Sequence, residues 1–88
     1  MAVFIGGISG VKNTMFGMLY KNTVDYAVSL KNISDKKKVL KLFLSNINDY
    51  SGSEIEKTIT KDNLKYILTL KSVSNINKAL RTSLNAIK

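Results

Sequence analysis

Five apolar residues in the last part of this chain, Val73, Ile76, Leu80, Leu84 and Ile87, recur in steps of three and four. A helix turns once every 3.6 residues, so this spacing gathers all five on one stripe. A strand, with its period of two, would scatter them over both faces. The same rule reads the stretch NTMFGMLYKNTVDYAVSLKN, where Phe16, Leu19, Tyr20, Thr23, Val24, Ala27 and Leu30 follow one helical face. It also reads SDKKKVLKLFLSNINDY, with Val39, Leu40, Phe43, Ile47 and Tyr50 on a stripe and Lys36, Lys37, Lys38 and Lys41 mostly away from it. The chain has no proline to interrupt such helices.

Boundaries follow from caps and turns. Gly17 and the Asn22-Thr23 pair weaken the first helical stretch, which admits two pieces with Thr23 capping the second. Ser34 reads as the next N-cap, with Asp35 in a first turn where a negative charge suits the helix dipole. NDYSGS is the clearest turn. Ser53 and Glu56 beyond it match the S-x-x-E capping box, although the β-branched Ile55, Thr58, Ile59 and Thr60 leave a strand open. Asp62 can cap a further start, and Ser72 or Ser74 another, so residues 62–88 read equally as one helix or two. No internal repeat is read. The expected fold is an all-α bundle of three to five helices in a single domain. Residues 1–12 form an apolar, Gly-rich leader, 13–50 a first helical part and 53–88 a second.

At 88 residues, with no cysteine and no histidine, such a bundle has neither disulfide nor thiolate or imidazole metal site to reinforce it. Its core is marginal unless helix packing or association with other chains adds to it. The same absences weigh against catalysis. No side chain stands ready as nucleophile or neutral-pH base, and the six acids, Asp25, Asp35, Asp49, Glu54, Glu56 and Asp62, fall at expected caps and turns. Neither an enzyme nor a cofactor is expected. Tyr20, Tyr26, Tyr50 and Tyr66 are expected at the core edge, hydroxyls outward. Apolar runs never reach eighteen residues, so a membrane-spanning helix is not expected, and the first ten residues lack the basic start of a secretory signal.

The leader contains FIGGISG, three glycines among Val3, Phe4, Ile5, Ile8 and Val11. It is not a phosphate loop of the G-x-x-x-x-G-K-[ST] type, because Val11 precedes Lys12 where glycine should stand and Asn13 follows where a hydroxyl should. Left in water, these side chains would form a sticky patch, while Gly6 and Gly10 allow close backbone approach. The leader is therefore expected to dock on its own bundle or on another chain. Val3, Phe4, Ile5, Gly6, Ile8 and Gly10, with the seam Val73, Ile76, Leu80, Leu84 and Ile87, are the expected protein contacts.

Fourteen Lys and Arg against six Asp and Glu give a net charge of +8, and no acid follows Asp62. A charge of this size attracts anionic partners at long range. All but Arg81 are lysines, which favours phosphate attraction over bidentate base reading. LKYILTLKSVSNINKALRTSL has the outline of a helix-turn-helix, but Leu68 falls where a small residue belongs and Lys78 where an apolar one does. The sequence thus points first to a non-enzymatic helical protein that self-associates or joins an assembly. The alternative is a nucleic-acid-binding protein using Lys36, Lys37, Lys38, Lys71, Lys78 and Arg81 on phosphates.

Overall fold

The computed structural model describes residues 15–86, Ala86 by its backbone alone, and every regular element among them is helical. Helix α1 spans Met15–Ser29 and α2 spans Ile33–Asn46, running on into a 3₁₀ turn at Ile47–Asp49. Helix α3 spans Glu54–Ile67 and α4 spans Val73–Ala86. Each helix packs against the next in sequence, and α1 also packs against α4, which closes the bundle.

The elements form where side chains can satisfy their ends and bury a stripe. Helix α1 is one piece, not two, because Phe16, Tyr20, Val24 and Ala27 bury a continuous face. Thr23 caps nothing; its hydroxyl donates to the Leu19 carbonyl at 2.9 Å within the helix. Asn32, two residues before Ser34, caps α2 by accepting from the Asp35 N–H at 3.2 Å. The Ser53–Glu56 capping box is present in full, and α3 then runs straight through the β-branched segment and Asp62. Burial of Thr60, Leu64 and Ile67 along one stripe overrides their local preference. The chain leaves the helix after Ile67, and Ser72 opens α4 by accepting from the Asn75 N–H at 3.1 Å. Residues 62–86 are therefore parts of two helices.

The core gathers Phe16, Tyr20, Val24, Leu40, Phe43, Ile47, Leu64, Ile67, Ile76 and Leu80 from all four helices and the 3₁₀ turn. Phe43 sits amid three rings, with centroids 5.9 Å from Phe16, 5.5 Å from Tyr20 and 5.0 Å from Tyr50. At the joint between halves, Gly52 lies so close to Phe16 that a Cβ on it would meet the Phe16 Cβ at 2.8 Å.

The two halves repeat one plan at an offset of forty residues, which the sequence reading missed. Ile33–Asn46 and Val73–Ala86 start and stop at matching positions. Asn32 and Ser72 cap them alike, each accepting from the N–H three residues on. Ser29 and Thr69 both donate to the carbonyl of the tyrosine three residues before, Tyr26 and Tyr66, each at 2.6 Å. Leu30 and Leu70 both close the preceding turn, through N–H bonds to Ala27 and Ile67. Nine residue pairs between 20–47 and 60–87 are identical, and burial over 60–85 follows nearly the same pattern as over 20–45. The bundle is thus a pair of αα-hairpins, α1–α2 and α3–α4, each covering the other's apolar face.

Candidate functional site

The helix stripes that build the second hairpin leave an open groove of about 460 Å³ between α3 and α4. Asn63, Tyr66 and Leu70 line it from the α3 side, and Asn75, Lys78 and Thr82 from α4. The α4 wall is cut back, since Ala79, Thr82 and Ser83 stand where the first hairpin has Val39, Leu42 and Phe43. Tyr66 is 62% exposed although its ring is largely apolar. Lys78 is the single charged residue among the lining side chains. Asn75 replaces the acid that the first hairpin carries at the matching position, Asp35. A ring, an ammonium and two amides around a ligand-sized cleft can stack on a planar group and hold an anion.

Beneath the groove lies a buried polar contact between hairpins. The Ser83 hydroxyl donates to the Leu80 carbonyl at 2.6 Å, which leaves it to accept from the Tyr20 hydroxyl, also at 2.6 Å. Tyr20 is therefore an interior residue with its hydroxyl inward, unlike Tyr26 and Tyr66, and burial pushes its pKa up to about 12 against the smaller pull of the Ser83 bond. Its counterpart in the second hairpin is Thr60, whose buried hydroxyl finds no hydrogen-bond partner.

Lys36 does not join a basic face. It is wholly buried, and its ammonium donates to the Ala27 carbonyl at 2.9 Å, the Val28 carbonyl at 3.1 Å and Asn77 Oδ1 at 3.0 Å. All three N–H groups are used, two of them closing the C-terminal end of α1, where a cation suits the helix dipole. Burial holds its pKa below the usual lysine value. In the second hairpin Ile76 occupies the matching place. The other expected phosphate contacts, Lys38, Lys71, Lys78 and Arg81, are exposed, and Lys37 is half-buried.

Of the expected apolar seam, Ile76 and Leu80 belong to this chain's own core, Leu84 packs at its edge and Val73 is 37% exposed. Ile87 and the leader residues Val3 to Gly10 lie outside the described residues. Apolar surface remains elsewhere. Met15, Met18 and Leu19 form an exposed stripe on the first turns of α1. On α3 Ile55 is exposed, and with the half-buried Ile59, which packs against the core, it lines a shallow depression alongside Glu54 and Thr58. Leu42 adds an isolated exposed side chain on α2. Residue spacing could have shown Met15 and Met18, which do not continue the Phe16–Tyr20–Val24 face; Leu19, read as part of that face, is instead exposed at its edge.

Among the described residues, no three His, Cys, Asp or Glu stand together as a metal site, and no helix is long and apolar enough to cross a membrane. No protein-family model, curated protein or solved structure matches this chain.

Proposed function

We propose that this protein acts without catalysis, by contact with other protein chains, as a self-associating unit or a subunit of a larger assembly. The observation that carries this reading is exposed apolar surface at matching places on both hairpins, a stripe on α1 and Ile55 on α3. Met15, Met18 and Leu19 on α1 fall at the same repeat positions as Ile55, Thr58 and Ile59 on α3; Met15, Met18 and Ile55 are exposed, while Ile59 packs at the edge of the core. Exposed apolar side chains of this size on both hairpins add cost in water and suit a partner surface. In sequence the apolar leader through Val11 precedes the α1 stripe, with Lys12, Asn13 and Thr14 between them. Sedimentation of the full chain over a wide concentration range tests this: association should appear as concentration rises and vanish in the Met15→Glu, Ile55→Glu double variant. A species that stays monomeric throughout, alone and with cell extract, ends the proposal.

A second reading rests on its own observation. Beyond Asp62 every charged side chain is positive, and one of them, Lys78, shares a groove with an exposed tyrosine. This favours a nucleic-acid partner, held through Lys71, Lys78 and Arg81 with Lys37 and Lys38 adding to the field. Binding of this kind must weaken steeply with added salt.

A further inference from the structure

The comparison between hairpins separates what packing needs from what it does not. Eight matched pairs are buried in both halves, and only Leu40 and Leu80 keep the same residue. Phe16 faces Glu56, Tyr20 faces Thr60, Lys36 faces Ile76 and Phe43 faces Ser83 across the repeat. The core has been rebuilt, with each hairpin compensating the other. By contrast, Tyr26 and Tyr66, Lys31 and Lys71, Ser34 and Ser74, and Lys38 and Lys78 are exposed in both halves and identical. Residues that pack against nothing are free to change, so an exposed aromatic ring and an exposed lysine held at matching places call for a role outside the fold.

Two of these retained residues, Tyr66 and Lys78, line the α3–α4 groove. We infer that this groove is a binding site for single-stranded nucleic acid, seating one nucleotide with its base stacked on Tyr66 and its phosphate on Lys78. This rests on the nucleic-acid reading and gives it an address. Charge complementarity selects the occupant. The lining carries one positive charge and no negative one, and beyond Asp62 the same half carries the exposed Lys65, Lys71 and Arg81 outside the lining, which add to the positive field. Stacking on tyrosine tolerates any base, and the amides of Asn63 and Asn75 offer both donors and acceptors to a base edge. A duplex does not expose its base faces, so the ligand is single-stranded. The first hairpin keeps the tyrosine and the lysine, but it has Asp35 in place of Asn75 and the larger Leu42 in place of Thr82. The second hairpin is therefore the stronger site.

The test is fluorescence anisotropy with a labelled mixed-sequence single-stranded oligonucleotide, using the full chain at low salt and through a salt series. Tyr66→Ala should weaken binding about ten-fold or more, the usual scale of one stacked base. Lys78→Gln should weaken it and lower the slope of log affinity against log salt by about one. Thr82→Leu, which places the first hairpin's residue in the groove, should block binding while circular dichroism stays unchanged. Tyr26→Ala should change affinity less than two-fold relative to wild type, roughly the limit of the measurement. If the oligonucleotide binds with normal salt dependence yet ignores Tyr66→Ala and Thr82→Leu, the groove assignment falls and the broader reading stands. If no oligonucleotide binds at low salt, both fall. If poly-glutamate competes at equal charge concentration and depends on Tyr66 as strongly, the groove takes acidic protein and the nucleic-acid assignment is overturned.

Discussion

The two hairpins share the bounds and N-cap of their second helix and much of their burial pattern, yet they solve the interior differently. The first is heavy inside, filled by Phe16, Tyr20, Phe43 and the buried Lys36. The second is lighter along α4, with Ile76, Ser83 and Ala79, and it pushes Ile67 inward where the first has Ala27. Large therefore meets small across the junction, as Tyr20 meets Ser83. The difference teaches that helix placement depends on the repeated caps and apolar spacing, while the fit between halves depends on residues that break the repeat. Substitutions at those asymmetric positions should have the largest effects.

Lys36 heads the order. Lys36→Ala removes three buried methylenes and the ammonium, and leaves the Ala27 and Val28 carbonyls and Asn77 without their donor. A loss of about 3–5 kcal/mol is expected from the cavity and the orphaned acceptors together, measured by urea unfolding. Lys36→Met keeps most of the stem volume and sharpens the comparison. If it costs as much as alanine, the hydrogen bonds dominate; if it costs little, the first hairpin needs only bulk there, as the second does with Ile76.

Tyr20 comes next, read through pH. Its folded pKa of about 12 lies above the ordinary 10.0, so the folded state holds its proton where the unfolded state gives it up. The associated stability is complete below pH 10 and is lost as pH rises from 10 to 12. Two units correspond to about 3 kcal/mol. Lys36 works in the opposite sense. Its lowered folded value means the folded state releases a proton first, so stability gains as pH climbs through that value toward 10.5. Denaturant midpoints across this range should rise and then fall, and Tyr20→Phe should remove most of the fall. A profile unchanged in Tyr20→Phe would show that the junction hydroxyl is not what titrates.

How much of this was legible beforehand differs by level. Helix faces, the Ser53 capping box and the turn before it could be read because they depend on residues within one or two turns of each other. Cap positions slipped by two residues at Ser34, because Asn32 and Ser34 both accept well and only packing of Ile33 selects between them. The inward turn of Lys36 was not legible, since nothing local distinguishes it from Lys37 and Lys38; its acceptors come from α1 and α4. The repeat was hidden for a related reason. A search led by core residues meets Tyr20 against Thr60 and Phe43 against Ser83, whereas the matching residues lie mostly on the surface. The groove was invisible because its depth comes from small residues, Ala79 and Ser83, that carry no signal of their own.

The joint between hairpins gives a smaller effect. Gly52→Ala would drive a Cβ to 2.8 Å from the Phe16 Cβ and 3.0 Å from its Cγ, both on the rigid root of a buried ring. Phe16 cannot yield without disturbing Phe43, whose centroid is 5.9 Å away. A loss of about 2 kcal/mol is expected, seen as a lower thermal midpoint. A neutral result would mean that the two hairpins shift against each other more easily than the shared core implies.

The smallest effect has the opposite sign. Thr60 occupies the place that Tyr20 holds in the first hairpin, and its buried hydroxyl has no partner, whereas Tyr20 is bonded to Ser83. Replacing that hydroxyl by a methyl keeps the side chain's shape and removes an unmet polar atom. Valine and threonine also cost a helix nearly the same in propensity. Thr60→Val should therefore stabilise the chain by about 1 kcal/mol, while Ser83→Ala, which strands the bonded Tyr20 hydroxyl, should destabilise it by a similar amount. The two variants together test whether the junction is polar by need on one side only. If Thr60→Val destabilises instead, the hydroxyl is used, and the asymmetry between the hairpins is smaller at this position than the burial of Tyr20 and Thr60 suggests.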